Sequence, residues 1–320
     1  MTDIPAVGID IGGTKIAGAL VSADGEIAHR EQVETPEDDT AAILDATAEL
    51  ISTLEDAAGG EVAGIGMACA GFVDGAHGRL WFAPNLPWRD LDVVDEVARR
   101  VGRDVLVEND ANAAAWGEYR HGSGRDCRDM LLATVGTGVG GGCIIDDRLL
   151  RGAHGIGGEI GHITIDPHGP RCGCGNDGCL EVFASGTALE RTARELIASD
   201  ETKGAGLRDR CGGTPEELTG QDVTELARAG DEGAIALFTD LGTRLGEGLA
   251  SVCAVLDPAL VVIGGGVVEA GPLLLDPVSE AFAAHLIGRG HRPSPEVVAA
   301  SLGNDAGLVG VATLAREVIA

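Results

Sequence analysis

Three cysteines and one histidine have the spacing of a metal-binding loop. Cys172, Cys174 and Cys179 follow a C-x-C-x4-C pattern, and His162 lies ten residues before the first of them. Three thiolates and one imidazole form a closed tetrahedral zinc site, of the structural kind that has no position for water. The pattern therefore predicts a structural Zn²⁺ site, and free thiols or a transient disulfide are the alternatives.

Glu159 precedes His162 by three residues, which is close to one helical turn and places both side chains on one face. If one ring nitrogen of His162 binds zinc, the other can donate toward a ligand beside Glu159. A carboxylate and an imidazole directed at one place suit the hydroxyls of a sugar. The two residues therefore predict a polar pocket that the zinc ion organises.

Asp110 is the candidate for proton transfer. It follows the predicted strand Asp104–Val107 and immediately precedes the predicted helix Ala111–Tyr119. Ligand-handling groups collect at the carboxyl ends of strands in α/β sheets, and a carboxylate there can accept a proton from an alcohol. Asp is also a preferred helix N-cap, and the spacing alone leaves both interpretations open.

A glycine turn near the amino terminus resembles a phosphate-binding loop. Gly12, Gly13, Thr14 and Lys15 lie between two predicted strands, Ala6–Ile11 and Ile16–Val21. Glycine lets backbone N–H groups approach an anion, and Thr14 and Lys15 add a hydroxyl and a cation. A Walker A loop is excluded because Thr14 precedes Lys15 and a strand follows. A plain tight hairpin is the alternative.

A second glycine run, Gly136–Gly142, contains a formal G-x-G-x-x-G. A dinucleotide site requires a helix to begin within these glycines, whereas the β-branched run ending at Ile145 continues as a strand. We therefore predict a second phosphate-binding hairpin. Its candidate contacts are Gly136, Thr137, Gly138, Gly140 and Gly141. A third run, Gly264, Gly265 and Gly266, is predicted to lie against adenine, with a strand-to-helix turn as the alternative.

The elements that must position these groups alternate between strand-like and helix-like segments, which indicates an α/β class. A strand, a glycine turn and a strand recur in each half, and this recurrence predicts two related lobes with a cleft between them. We predict a smaller lobe over residues 1–120, completed by a helix at about 305–320, and a larger lobe over 121–304 that carries the zinc loop. The segment Lys203–Gly220 is predicted to be a solvated loop.

The composition limits what this surface can bind. The 320 residues include 23 basic and 51 acidic ones, a net charge of −28, and the only lysines are Lys15 and Lys203. Such a surface repels phosphate polyanions, so we expect neither nucleic-acid nor membrane binding. The acid excess with almost no lysine favours adaptation to a salty cytoplasm over an ordinary acidic enzyme. No secretory leader or membrane span is evident, and we expect a cytoplasmic protein.

Five motifs in order resemble the ROK family of sugar kinases and repressors, over residues 7 to about 315. They are Asp10-Ile-Gly-Gly-Thr-Lys15, Glu108-Asn-Asp-Ala-Asn112, Gly136-Thr-Gly-Val-Gly-Gly-Gly142, Gly158-Glu-Ile-Gly-His162 and Cys172-Gly-Cys-Gly-Asn-Asp-Gly-Cys-Leu-Glu181. The resemblance implies an actin-like, hexokinase-type (ribonuclease H-like) α/β fold whose two lobes close on sugar and ATP. It also implies a homodimer or homotetramer.

The resemblance further implies residue roles. Asp110 would be the general base toward the sugar's 6-hydroxyl, Asp10 would lie near Mg²⁺, and the glycine turns would hold ATP. The implied sugar-binding residues are Asn85, Asn109, Asp110, Glu159, His162 and Glu181. One departure from the family pattern is visible, because Ala68-Cys69-Ala70-Gly71 stands where many relatives have a proline before the glycine. We expect it to alter the stiffness of the loop and not the chemistry.

The implied activity is that of an ATP-dependent hexose kinase with glucose as acceptor. N-acetylglucosamine, N-acetylmannosamine, mannose and fructose are alternative acceptors. The family also contains sugar-sensing repressors, but these carry a helix-turn-helix module for which there is no room before Ala6, and the net charge opposes DNA binding. Asp110 and Lys15 argue against a third alternative, a sugar-binding protein without turnover.

Overall fold

The computed structural model describes residues 4–37, 39–74 and 77–319. The strands are β1 (Ala6–Ile11), β2 (Lys15–Val21), β3 (Ile27–Glu34), β4 (Ile65–Cys69), β5 (Phe72–Asp74), β6 (Arg79–Phe82), β7 (Arg89–Leu91), β8 (Leu106–Asn109), β9 (Met130–Val135), β10 (Val139–Ile145), β11 (Arg148–Leu149), β12 (Leu260–Gly264) and β13 (Glu296–Ala299). The helices are α1 (Thr40–Ala58), α2 (Val93–Val101), α3 (Asp110–His121), α4 (Glu181–Ala184), α5 (Gly186–Ser199), α6 (Ala205–Arg210), α7 (Gly220–Arg228), α8 (Glu232–Leu256), α9 (Pro272–His285) and α10 (Ala306–Ile319).

The chain divides into two compact units. Unit 1 contains residues 1–132, 142–158 and 300–320, and unit 2 contains residues 133–141 and 159–299. The predicted lobes differ from these units at residues 121–132, 142–158 and 300–304, all of which belong to unit 1. The predicted boundaries of the two lobes stay a prediction.

The main sheet of unit 1 brings three strand ends to one edge. Its strand order is β3-β2-β1-β4-β8, and β1, β4 and β8 run parallel. Ile11 pairs with Cys69, and Cys69 pairs with Asn109. The carboxyl ends of these strands therefore lie side by side, so Asp10 and Asp110 belong to the same edge of the sheet.

Helix α1 shows how the apolar pattern determines the packing of unit 1. Its buried positions repeat at the 3.6-residue period of an amphipathic helix. They are Ile43, Leu44, Thr47, Leu50, Ile51 and Leu54. Asp39 caps the amino end by accepting hydrogen bonds from Ala41 and Ala42, and Gly59 ends the helix in a left-handed conformation.

The last helix of the chain completes unit 1. Helix α10 contributes Leu308, Val309 and Ala312 to a core cluster with β1 and β2 residues. The segment before α10 is held by Glu118 of α3, whose side chain is fully buried. Its carboxylate accepts hydrogen bonds from the backbone N–H groups of Ser301 at 3.1 Å and Leu302 at 2.7 Å.

A small antiparallel sheet in unit 1 has the order β5-β6-β7. The pattern of the sequence did not indicate it, because its strands span only three or four residues and expose Trp81 and Phe82. The predicted helix Leu91–Val101 begins later as a result, at Val93 after β7.

Unit 2 contains most of a second sheet, with the order β11-β10-β9-β12-β13, and the helices α4 to α9. The prediction of a solvated loop over Lys203–Gly220 is wrong, because α6 lies within it and Leu207 is fully buried. The segment is rich in Gly, Arg and Asp, yet its leucines Leu207 and Leu218 are both buried. Among the described residues, no helix combines the length and the apolar character that crossing a membrane requires.

Candidate functional site

The first glycine turn is a tight connection between β1 and β2. The backbone N–H of Gly12 donates to the Lys15 carbonyl at 3.0 Å, and Gly13, Thr14 and Lys15 are exposed. A Cβ atom at Gly13 would lie 2.8 Å from the Asn85 carbonyl oxygen, so only glycine fits without a shift. The structure thus places Asn85, which is predicted to bind sugar, next to Gly13, which is predicted to bind ATP.

The turn from β8 into α3 separates the two roles that the sequence left open for Asp110. Asn109 is the N-cap, and its side-chain oxygen accepts from the Asn112 N–H at 3.0 Å. Asn109 also donates its side-chain N–H to the Gly71 carbonyl at 3.1 Å. Asp110 is the first residue of the helix and accepts from the Ala111 N–H at 2.9 Å. The capping function therefore belongs to Asn109 and does not account for Asp110.

The electrostatics of this sheet edge disfavour two carboxylates together. Burial raises the pKa of Asp110, and hydrogen bonds from the backbone and from Asn109 partly oppose the increase. Burial and then the charge of Asp110 raise the pKa of Asp10 to about 6, although Lys15 lowers it. Burial, Asp110 and Asp10 together raise the pKa of the nearby Cys69 thiol well above its usual range. A cation or a transferable proton would relieve this repulsion, which suits a Mg²⁺ ion.

The predicted metal ligands of unit 2 converge. One ligand atom from each of His162, Cys172, Cys174 and Cys179 lies within 4.8 Å of the other three. His162 Nδ1 is 3.6 Å from Cys172 Sγ, and Cys174 Sγ is 3.6 Å from Cys179 Sγ. Zn–S bonds of about 2.3 Å in a tetrahedron require sulfur atoms about 3.8 Å apart. The four residues therefore fit zinc in both chemistry and spacing, and none of these cysteines forms a disulfide.

The Glu159–His162 turn has the predicted proximity. Residues Ile160–His162 form one 3-10 turn that begins after Glu159, and the His162 N–H donates to the Glu159 carbonyl at 3.1 Å. Both side chains are half-buried. Because His162 Nδ1 faces Cys172, Nε2 is the ring nitrogen directed elsewhere.

Glu181 connects the metal ligands to the second glycine turn. One carboxylate oxygen lies 3.6 Å from Cys172 Sγ, and the other accepts a hydrogen bond from the Val139 N–H at 3.1 Å. The same carboxylate occupies the space that a Cβ at Gly138 would need. Sequence spacing does not indicate this double contact, because Glu181 lies 42 residues from Val139.

The second and third glycine runs meet at the start of α5. The Gly186 N–H donates to the Gly136 carbonyl at 2.7 Å, and the Thr187 hydroxyl donates to the Thr137 carbonyl at 2.8 Å. A Cβ at Gly186 would also contact Val267, which follows the third run. The sequence did not single out Gly186 or Thr187. Only their position behind the helix cap Ser185 could have indicated them.

The third run combines one constrained glycine with one in open space. Gly265 has a φ of +84°, and a Cβ there would lie 2.4 Å from the Val135 carbonyl oxygen. Gly266 has no atom within 4 Å of its hypothetical Cβ. The run thus leaves room for a flat group at Gly266. Strand β10 begins at Val139, inside the Gly136–Gly142 run, and this excludes the dinucleotide fingerprint.

The predicted site residues divide between the units. Unit 1 contains Asp10, Gly12, Gly13, Thr14, Lys15, Asn85, Asn109 and Asp110. Unit 2 contains the metal ligands with Glu159 and Glu181, Gly136, Thr137, Gly138, Gly140, Gly141 and the run Gly264–Gly266.

One sheet edge of unit 1 carries both the groups that suit phosphate and a carboxylate that can accept a proton. On an actin-like α/β fold this combination is that of a phosphotransferase. The model of the ROK family matches residues 6–318. The chain belongs to the ROK family, and both the predicted family and the predicted fold class are confirmed.

Known proteins similar to this chain include several glucokinases. The chain is 43% identical to the glucokinase of Streptomyces coelicolor over 311 residues, which cover 97% of each chain. It is 36% identical to the glucokinase of Thermotoga maritima over 99% of each chain. The crystal structure of a ROK family glucokinase from Streptomyces griseus, in complex with glucose and AMPPNP, is 43% identical, with a TM-score of 0.87 over 98% of this chain and 99% of that one.

Proposed function

We propose that the chain is an ATP-dependent hexose kinase that transfers the γ-phosphoryl group of ATP to the 6-hydroxyl of glucose. The observation that carries the proposal is the sheet edge at which Asp10, Asp110 and the Lys15 turn meet. The similarity to glucokinases over almost the whole chain supports glucose as the acceptor, and the Streptomyces griseus complex supports ATP as the donor.

In this proposal Asp110 accepts the proton of the sugar hydroxyl. Burial makes its carboxylate a stronger base than an exposed one, because desolvation disfavours the charged form. The hydrogen bond from the Ala111 N–H fixes one carboxylate oxygen, which orients the other for the proton. Phosphoryl transfer needs mainly alignment and charge neutralisation, so one well-placed base is sufficient.

In this proposal the sugar is held by hydrogen-bonding side chains. Asn85 and Asn109 contribute amides, Glu159 and Glu181 contribute carboxylates, and His162 contributes an imidazole. His162 Nε2 is the natural donor or acceptor for a hydroxyl, because Nδ1 faces the cysteines. A set of directed amides, carboxylates and one imidazole matches a polyhydroxylated ring.

The nucleotide is held by the glycine turns. Gly12, Gly13, Thr14 and Lys15 offer backbone N–H groups, a hydroxyl and a cation to phosphate, and the Gly136–Gly141 turn offers a second set of N–H groups. The adenine ring lies at Gly266 in this proposal, which the open space around that residue supports. Mg²⁺ beside Asp10 would neutralise phosphate charge when bound.

The cysteine–histidine cluster holds a structural Zn²⁺ ion in this proposal. The convergence of its four ligand atoms within 4.8 Å supports the assignment. Its role is to fix the orientation of His162 toward the sugar, because a ring nitrogen bound to a metal cannot rotate away. We further propose that the protein is a homodimer or homotetramer, and light scattering in molar KCl would measure this oligomeric state. We also propose that it works in a salty cytoplasm.

The Asp110→Asn variant tests the base assignment. It removes the base but keeps the shape, so we expect turnover to fall by about 10²- to 10⁴-fold while glucose affinity changes little. Turnover is measured with a coupled assay of glucose and ATP, and affinity by calorimetry. Asp104→Asn, an exposed aspartate just before β8, is the matched control. Phosphorylation of glucose by Asp110→Asn at the parent rate would falsify the proposal.

A panel of sugars tests the acceptor. We expect kcat/KM to be highest for glucose and lower for mannose, fructose, N-acetylglucosamine and N-acetylmannosamine. A higher value for an N-acetylated sugar would reassign the substrate and leave the reaction class intact. Binding of sugar with no turnover on any of them would instead support a sugar-sensing regulator.

A further inference from the structure

Glu108 is a buried carboxylate in the motif that carries the proposed base. Its residue surface is 1% exposed. Oε1 accepts hydrogen bonds from the Asn109 backbone N–H and from the Asn112 side-chain N–H, each at 3.1 Å. Oε2 accepts from Arg151 Nε at 2.7 Å. Glu108 thus accepts hydrogen bonds from residues on both sides of Asp110, and it pairs with the cation Arg151, which lies just after β11 in unit 1.

Arg151 is anchored by its own loop. The Gly157 N–H donates to the Arg151 carbonyl at 2.9 Å, which closes the loop of residues 151–157. Gly155 lies against the Val73 carbonyl of β5, so the closed loop rests on that strand. The backbone of Arg151 is therefore fixed independently of Glu108, and its guanidinium can act as a fixed point for the carboxylate.

We propose that Arg151 is a positioning residue for the proposed base Asp110 and acts on it through Glu108. The guanidinium holds the Glu108 carboxylate, and that carboxylate holds the N–H of Asn109 and the amide of Asn112. These two residues flank Asp110, so the orientation of its side chain depends on them. The inference rests on the proposed function, because it assigns a role only if Asp110 accepts the sugar's proton.

Stabilisation of the fold alone does not explain why this site holds the carboxylate of Glu108 and the guanidinium of Arg151. Apolar side chains of similar volume fill a buried site at least as well as an ion pair does. A carboxylate with three donors instead fixes one geometry, and the planar guanidinium adds a directional contact that an ammonium group lacks. Such orientation matters most for a group that must meet a reacting hydroxyl, because a displacement of about 1 Å can cost about 100-fold in rate.

The test compares Arg151→Met with its matched control Arg148→Met. Arg148 lies three residues earlier on β11 and is exposed. We expect Arg151→Met to lower kcat for glucose by about 10- to 100-fold and to change the glucose KM less than threefold, and Arg148→Met to change neither. A merely structural role would lower the melting temperature and leave the kcat of the folded fraction at the parent value, which would overturn the inference.

A double-variant cycle tests the route through Glu108. If Arg151 acts through Glu108, Arg151→Met should cost little further kcat in a Glu108→Gln background. If the fold-losses in kcat of the two single variants multiply in the double variant, the route through Glu108 is overturned. Should Arg151→Met not fold, Arg151→Lys replaces it: a lowered kcat at unchanged KM supports the inference, and parent kinetics overturn it. Loss of turnover in Asp110→Asn with parent kinetics in the Arg151 variants would reject this inference alone, whereas an active Asp110→Asn would reject the proposed function.

Discussion

Glu181 accepts a hydrogen bond from the backbone N–H of Val139 at 3.1 Å through one carboxylate oxygen. Its other oxygen lies 3.6 Å from Cys172 Sγ, one of the four predicted metal ligands. One side chain therefore contacts both the second glycine turn and the cysteine–histidine cluster of unit 2. Substitution of Glu181 should therefore weaken the binding of both substrates of the proposed reaction, glucose and ATP.

Removing the Glu181 carboxylate should weaken the binding of glucose and ATP together. Hydrogen bonds to a charged group contribute about 1.5–3 kcal/mol, so we expect Glu181→Ala to raise the glucose KM by about 10- to 100-fold. The KM for ATP should also rise, because Val139 loses its acceptor. Steady-state kinetics measure both. Glu201→Ala, which removes an exposed glutamate, is the control. Unchanged KM values would contradict the prediction.

The ionised carboxylate of Asp10 should lower the free energy of unfolding at neutral pH. The raised folded-state pKa means that the folded chain binds a proton more tightly than the unfolded chain does. The unfavourable contribution therefore grows as the pH rises from 3.8 to about 6, and it is constant above. We expect Asp10→Asn to increase the free energy of unfolding by about 1–3 kcal/mol at pH 8 and by little at pH 4.

Urea unfolding without Mg²⁺ measures the Asp10 effect at each pH. The cation must be absent because it would neutralise the carboxylate and hide the cost. Asp104→Asn should show no such pH dependence, since Asp104 is exposed. An equal gain at pH 4 and pH 8 would show that ionisation of the buried Asp10 carboxylate is not its cause. Glucose phosphorylation by Asp10→Asn should fall, as stabilising changes at active sites often lower activity.

Loss of one cysteine should release the zinc ion and weaken sugar binding. We expect Cys174→Ser to lower the zinc content from one per chain to near zero and to raise the glucose KM about tenfold or more, because His162 loses its fixed orientation. Zinc is measured by mass spectrometry of the acid-digested protein. Cys211→Ser is the control, since Cys211 lies outside the cluster. Unchanged metal content in Cys174→Ser would disprove the cluster assignment.

A methyl group at Gly266 should separate nucleotide binding from folding. The space around a Cβ at this position holds no protein atom within 4 Å, so the fold accepts Gly266→Ala. If adenine occupies that space, the KM for ATP should rise about tenfold or more, with the melting temperature and the glucose KM unchanged. Gly307→Ala is the matched control, because its Cβ also has no neighbour within 4 Å. An unaltered ATP KM would place the adenine elsewhere.

The melting temperature should increase with salt. The net charge of −28 makes the folded state repel itself, and screening shortens the Debye length from about 10 Å at 0.1 M to about 3 Å at 1 M. We expect a rise of about 5–10 °C between 0.1 M and 2 M KCl, which corresponds to roughly 2–3 kcal/mol. Choline chloride should give the same rise if screening is the cause. A constant melting temperature would favour an ordinary acidic enzyme.

Local patterns predicted the regular elements of this fold well. In α1, five apolar residues and Thr47 recur at the helical period and all six are buried, and β1 has the bounds that the sequence indicated. These elements are long and strongly periodic, so each carries its own signal. The β5-β6-β7 sheet and α6 escaped prediction because they are short and depend on single anchors such as Leu207.

The candidate site was predictable where its residues cluster in the sequence. Cys172, Cys174 and Cys179 lie within eight residues, and their spacing was sufficient to indicate a cluster with His162. The contacts of Glu108 with Arg151 and of Glu181 with Val139 join residues 43 and 42 positions apart. No periodicity or spacing encodes such long-range pairs, so only the folded chain shows them.

The burial of Glu118 against Ser301 and Leu302 has a consequence for synthesis on the ribosome. The first 132 residues cannot finish folding until residues 300–320 emerge, because these residues supply α10 and the donors that Glu118 requires. At 5–20 residues per second this delay is on the order of tens of seconds. The apolar residues of β1 and β2 that α10 covers, such as Ala6 and Ala19, therefore stay uncovered until the end of the chain is made.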